Sequence, residues 1–70
     1  MFNAKMNIDM KNNIKKADKL FADKAYVEAA KLYEKLGLGQ HVLQNLGDCY
    51  YYNFQMDNAV RAYGQLFFTY

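Results

Sequence analysis

The side chains best equipped for chemistry in this chain are Cys49 and His41, a nucleophile and a base. Both fall on one helical segment, eight residues apart, which is ~12 Å along a helix axis and roughly 80° around it. A thiol and an imidazole so placed cannot share a hydrogen bond within one chain, so the pairing that activates a cysteine fails on geometry. A metal centre fails in the same way, because one His, one Cys and Asp48 do not converge. Serine and tryptophan are absent and the one threonine is Thr69. Gly37 and Gly39 lack the lysine and the spacing of a phosphate-binding loop. The inventory points to a protein that is not an enzyme, uses no cofactor and holds no metal. Cys49 then reads as a small packing residue and His41 as a polar residue near a helix start.

The elements that carry these residues repeat. Ala29, Tyr33 and Leu36 recur thirty residues later as Ala59, Tyr63 and Leu66, and Asp18 recurs as Asp48. Residue class is kept around them: Ala17 matches Gly47, Leu20 matches Tyr50, Phe21 matches Tyr51, Ala30 matches Val60, and Lys31 matches Arg61. Small, aromatic and aliphatic residues at fixed spacing are the mark of stacked helical hairpins. Four helices are expected, over about 7–23, 26–36, 40–52 and 57–68. In the first, Ile14, Ala17, Leu20 and Phe21 recur at helical steps and form an inner face. Ala29, Ala30, Tyr33 and Leu36 do so in the second. Leu43, Leu46, Gly47 and Tyr50 serve the third, and Ala59, Ala62, Tyr63 and Leu66 the fourth. Gly37 is placed to end the second helix in a left-handed conformation, with Leu38 covering its end. Gly47 lowers helix propensity by roughly 1 kcal/mol against alanine, so a neighbouring helix should approach closely there.

Seventy residues make one small domain or a piece of a larger protein, with unit one at about 10–39 and unit two at about 40–70. A core of that size is marginal without efficient packing or a partner. There is no proline, which suits continuous helices with short links. No apolar run nears the ~20 residues of a membrane span, so membrane insertion by this segment is not expected. Nor does the Met1–Met10 segment, with Lys5 and Asp9, read as a secretory signal. Net charge is +2, too small to suggest nucleic-acid binding. The Lys11, Lys15 and Lys19 stripe has no aromatic within it and reads as a solvated face, with a basic docking stripe as the alternative. Residues 36–70 hold eight of the twelve aromatics but only Arg61, Asp48 and Asp57 as charges, which favours contact burial in that half.

Leu43, Leu46, Gly47, Tyr50, Ala59, Tyr63 and Leu66 stand in an order that resembles the tetratricopeptide repeat. The first unit, with Ala17, Leu20, Tyr26, Ala29, Tyr33 and Leu36, is a poorer match, because Lys16 stands where Leu46 does. The thirty-residue spacing is also shorter than the usual 34 of that repeat. The resemblance implies an all-α fold of two antiparallel hairpins stacked as a fragment of an α-solenoid. Residues 15–36 and 42–67 also resemble the amino-terminal repeats of envelope proteins that end in an OmpA-type, peptidoglycan-binding domain. That likeness implies a longer parent in the periplasm or at the outer membrane. It assigns no wall-binding activity to these residues.

In the repeat family the first helix of each hairpin lines a concave face. The resemblance places Lys11, Ile14, Asp18 and Phe21 there from unit one, and His41, Gln44, Asp48, Tyr51 and Tyr52 from unit two. Tyr50, Tyr51 and Tyr52 are consecutive, so one helical face cannot bury all three rings. An exposed tyrosine here is either a good peptide anchor or a ring that packs against a neighbouring hairpin. Two acids at Asp18 and Asp48 would repel a carboxylate, so a segment with Lys or Arg near its anchor is the expected partner. Leu66, Phe67, Phe68 and Tyr70 would meet a following helix, or drive self-association into a homo-oligomer. The expected function is a non-enzymatic protein-interaction module of a cell-envelope protein. The alternative is a structural spacer or oligomerisation segment that binds nothing on its own.

Overall fold

The computed structural model describes residues 4–37 and 39–70, and side chains from Met10 onward. The protein is all-α. Helix α1 spans Ala4–Ala22, α2 Tyr26–Lys35, α3 Gln40–Tyr52 and α4 Met56–Thr69. The third helix has the expected bounds. The first begins three residues before Asn7, since Ala4, Lys5 and Met6 are good helix formers with no breaker among them. The fourth starts at Met56 rather than Asp57 and runs one residue past Phe68. The expected cover of the α2 end by Leu38 lies outside the described residues.

Gly37 ends α2 at φ +90°, where a left-handed backbone suits glycine. The other two turns use no glycine. Lys24 has φ 64° and Phe54 has φ 60°, thirty residues apart. Their hydrogen bonds match as well. The Ala25 N–H donates to the Leu20 carbonyl at 2.8 Å and Lys24 to Phe21 at 3.0 Å. Gln55 donates to Tyr50 at 2.8 Å and Phe54 to Tyr51 at 3.1 Å. Each is a paired 6→1 and 5→2 helix ending, the Schellman motif. The repeat therefore extends to backbone conformation at positions where the side chains differ.

Packing is sequential. Helix α1 lies against α2, α2 against α3 and α3 against α4, with a smaller α1–α3 contact. The body is flattened, 37 × 29 × 13 Å, so few side chains are fully enclosed. Tyr33, Leu43 and Cys49 are the largest of these among the described residues. The central cluster joins Ala17, Ala29, Ala30 and Tyr33 of the first hairpin to Val42, Leu46, Cys49 and Ala62 of the second. Val42 and Cys49 lie off the expected inner face of α3. They are buried because α3 is covered on two sides, by α4 and by α2. Gly47 serves the α4 side: a Cβ there would fall 2.5–2.9 Å from the Tyr63 ring.

Candidate functional site

Most of the residues expected on the concave face fall into two groups. The first is polar and centres on Asp18, half-buried on α1. Tyr33 donates its hydroxyl to Asp18 Oδ1. His41 Nε2 lies 2.9 Å from Oδ1 and 3.0 Å from Oδ2. Asn45 Nδ2 donates to the Tyr33 hydroxyl oxygen at 3.0 Å and to Asp18 Oδ1 at 3.4 Å. One turn of α3 thus brings His41 and Asn45, four residues apart, onto the Asp18–Tyr33 pair of the first hairpin. Burial pushes the Asp18 carboxyl up, but the bonds from Tyr33, His41 and Asn45 and the charge of His41 outweigh it. The net shift is downward. Burial raises the Tyr33 hydroxyl well above its ordinary value, and the bond to Asp18 adds to this.

Asp48 repeats the central bond of that network. It accepts the Tyr63 hydroxyl as Asp18 accepts that of Tyr33, at the same separation of fifteen residues. Burial, then the Asp48 bond, raises Tyr63 as well. No described His or Asn joins this second pair. Beside it, burial and then the Asp48 charge push the Cys49 thiol up to about 12. A thiol held protonated is a poor nucleophile. His41 is turned to Asp18, on the other hairpin. Among the described residues no three His, Cys, Asp or Glu side chains gather as a metal site. No helix described is long and apolar enough to cross a membrane.

The second group is aromatic. Phe21 meets Tyr26 edge-on at 5.6 Å between ring centroids, and Tyr26 stacks on Tyr52 at 5.1 Å. Tyr52 lies 6.4 Å from Phe21 and 5.5 Å from Tyr51. Phe21 and Tyr26 are half-buried, whereas Tyr51 and Tyr52 expose about half their surface. Tyr26 is absent from the residues expected in the site. The left-handed turn at Lys24 folds the start of α2 back beside the end of α1, which brings Tyr26 to Phe21. Its position at a helix start directly after that turn was the available signal. The third consecutive tyrosine, Tyr50, leaves this group and donates to Glu34 of α2; burial, then that bond, raises its hydroxyl to about 12.

Lys11 and Gln44 are exposed and stand outside both groups. At the far end, Leu66 is half-buried and Phe67, Phe68 and Tyr70 are exposed. Phe67 and Phe68 touch edge-on at 5.8 Å. The chain matches no family model, no curated protein and no solved structure.

Proposed function

We propose that this chain is a non-enzymatic protein-interaction module, of tetratricopeptide-like character, that holds a partner segment along α1 and α3. The observation that carries the reading is the ring group of Phe21, Tyr26, Tyr51 and Tyr52, with two rings half-open to solvent. Supported rings of this kind offer large apolar area with few rotors to freeze. Asp48 lies one turn before Tyr51 and Tyr52, on the same side of α3. Its carboxylate suits a Lys or Arg next to the partner's anchor, since Asp18 already has His41. The resemblance to envelope-protein repeats supports a periplasmic or outer-membrane setting within a longer parent.

A displayed library of random peptides, selected on the full chain, tests this. Enriched peptides should share an apolar anchor flanked by Lys or Arg. Their binding should fall at least tenfold for Tyr51→Ala and for Asp48→Asn, which keeps an acceptor for Tyr63. Both variants should keep native helicity by circular dichroism. Peptides bound equally by both variants, or no enrichment at all, would instead favour a structural spacer, a reading supported by the exposed Phe67 and Phe68.

A further inference from the structure

The thirty-residue correspondence gives α4 a face whose counterpart on α2 is covered. On α2 the stripe Tyr26, Ala30 and Tyr33 is roofed by α3. Ala30 is 6% exposed and Tyr33 0%, and both join Val42, Leu46 and Cys49 in one cluster. The same junction is latched by His41 and Asn45 on the Asp18–Tyr33 pair. The matching stripe on α4 is Met56, Val60 and Tyr63, continued by Phe67. Here Val60 is 68% exposed and Phe67 81%, and Tyr63 is only half-buried. A Cβ at Gly64, beside this stripe, would meet nothing within 4 Å. The Asp48–Tyr63 pair stands at its edge without a described counterpart of His41 or Asn45.

We infer that the Met56–Val60–Tyr63–Phe67 face of α4 docks a partner helix built like α3. That helix carries apolar residues at i, i+4 and i+7, as Val42, Leu46 and Cys49 do. It carries hydrogen-bond donors at i−1 and i+3, as His41 and Asn45 do, aimed at the Asp48–Tyr63 pair. The internal junction is the template for both requirements. A second copy stacked head to tail does not meet them. The counterparts of Val42, Leu46 and Cys49 on α1 are Asn12, Lys16 and Lys19, all exposed. Lys11 and Lys15 would reach Asp48, but Lys16 and Lys19 would lie against Val60. Desolvating Lys16 and Lys19 outweighs the attraction of Lys11 and Lys15 to the single Asp48 carboxylate. The amino-terminal side of the stack is thus faced with polar residues, and the α4 side is not.

A free helix of thirteen residues is marginal in water. The probe is therefore the α3 sequence, residues 40–52, joined to the end of the full chain by a flexible Gly/Ser linker, which holds it at millimolar effective concentration. The control extension is residues 10–22 of α1. The α3 extension should raise the thermal midpoint by about 5 °C and shift the amide resonances of Val60 and Gly64. Val60→Lys should erase that gain while leaving the unextended chain's midpoint in place. The α1 extension should give no gain. Equal gains from both extensions, or none from α3, would overturn the proposal. A dimer of the unextended chain that Val60→Lys dissociates would also overturn it, by making a second copy the occupant.

Discussion

Tyr33 donates its hydroxyl to the carboxylate of Asp18 across the first hairpin, and Tyr63 makes the same bond to Asp48 across the second. The four residues are identities of the repeat. The bond therefore acts as an internal clip in each hairpin, tying the first helix to the second at a fixed height. The surroundings differ. Asn45 also donates to the Tyr33 oxygen, and Tyr33 is fully buried. Tyr63 lacks such a neighbour among the described residues and is half-buried.

Tyr33→Phe should consequently cost more stability than Tyr63→Phe. A typical hydrogen bond contributes about 0.5–1.5 kcal/mol net, and Tyr33→Phe also strips half-buried Asn45 of its nearer acceptor. We expect about 2 kcal/mol for Tyr33→Phe and about 1 kcal/mol for Tyr63→Phe, read from urea midpoints. The two should add, because the clips share no partner. A larger loss at Tyr63 would sink the assignment.

Gly47 and Gly64 both sit in helices and predict opposite outcomes. At Gly64 a methyl group meets open space, so Gly64→Ala should stabilise by about 1 kcal/mol through helix propensity. At Gly47 the same gain is set against a Cβ 2.5 Å from a Tyr63 ring that Asp48 holds in place. Overpacking of this kind costs about 1–3 kcal/mol, so Gly47→Ala should be net destabilising. Tyr63→Leu should relieve most of that loss in a double-mutant cycle. Additive losses would argue that the ring is not the obstacle.

Lys24 and Phe54 hold left-handed backbone that L residues disfavour by about 1–2 kcal/mol. Phe54 is 85% exposed, so little burial is lost on replacing it. Phe54→Gly should raise stability by about 0.5–1 kcal/mol after the added unfolded-state entropy of glycine is subtracted. Phe54→Ala, which keeps a Cβ, should not. The comparison needs only thermal melts, and equal midpoints for Gly and Ala would count against the turn geometry.

Alkaline pH should unfold the protein. Cys49 and Tyr50 have folded pKa values raised to about 12, and Tyr33 and Tyr63 are raised as well. For an acid raised on folding, the stabilisation is complete below the unfolded pKa and is lost as pH climbs towards the folded one. For buried Cys49 the window is about pH 9 to 12, at about 1.4 kcal/mol per pH unit. Cys49→Ala should flatten the curve chiefly around pH 9, where an unfolded cysteine titrates and unfolded tyrosines, at about 10, have lost few protons. Asp18 acts with the opposite sign: its lowered pKa gives stability present above about pH 4 and lost as pH falls below. An unchanged slope in Cys49→Ala would show that the thiol is not the group titrating there.

Much of the fold was legible because helical periodicity is a local property. The expected inner-face residues of the four helices, the left-handed Gly37 and the close approach at Gly47 follow from residue type and spacing, whereas the burial of Val42 depends on α2 covering a second side of α3. Two further features were not legible. Lys24 and Phe54 have no preference for left-handed backbone. Their conformation is imposed by the paired carbonyl bonds that close each helix and by the packing of the next. Tyr26 joins the ring group only because that turn returns it to Phe21.

The site shows the same division. The recurrence of Asp18 and Tyr33 as Asp48 and Tyr63 is visible in the sequence. That each pair is bonded depends on how two helices cross, which residue spacing alone does not state. By itself the sequence determined which residues are equivalent, because equivalence rests on residue type and spacing along one chain. Only the tertiary structure decided what each equivalent residue meets. Asp18 is latched by His41 and Asn45 and Asp48 stands at an uncovered edge because α3 packs on the first hairpin, while no described helix packs in that place on the second.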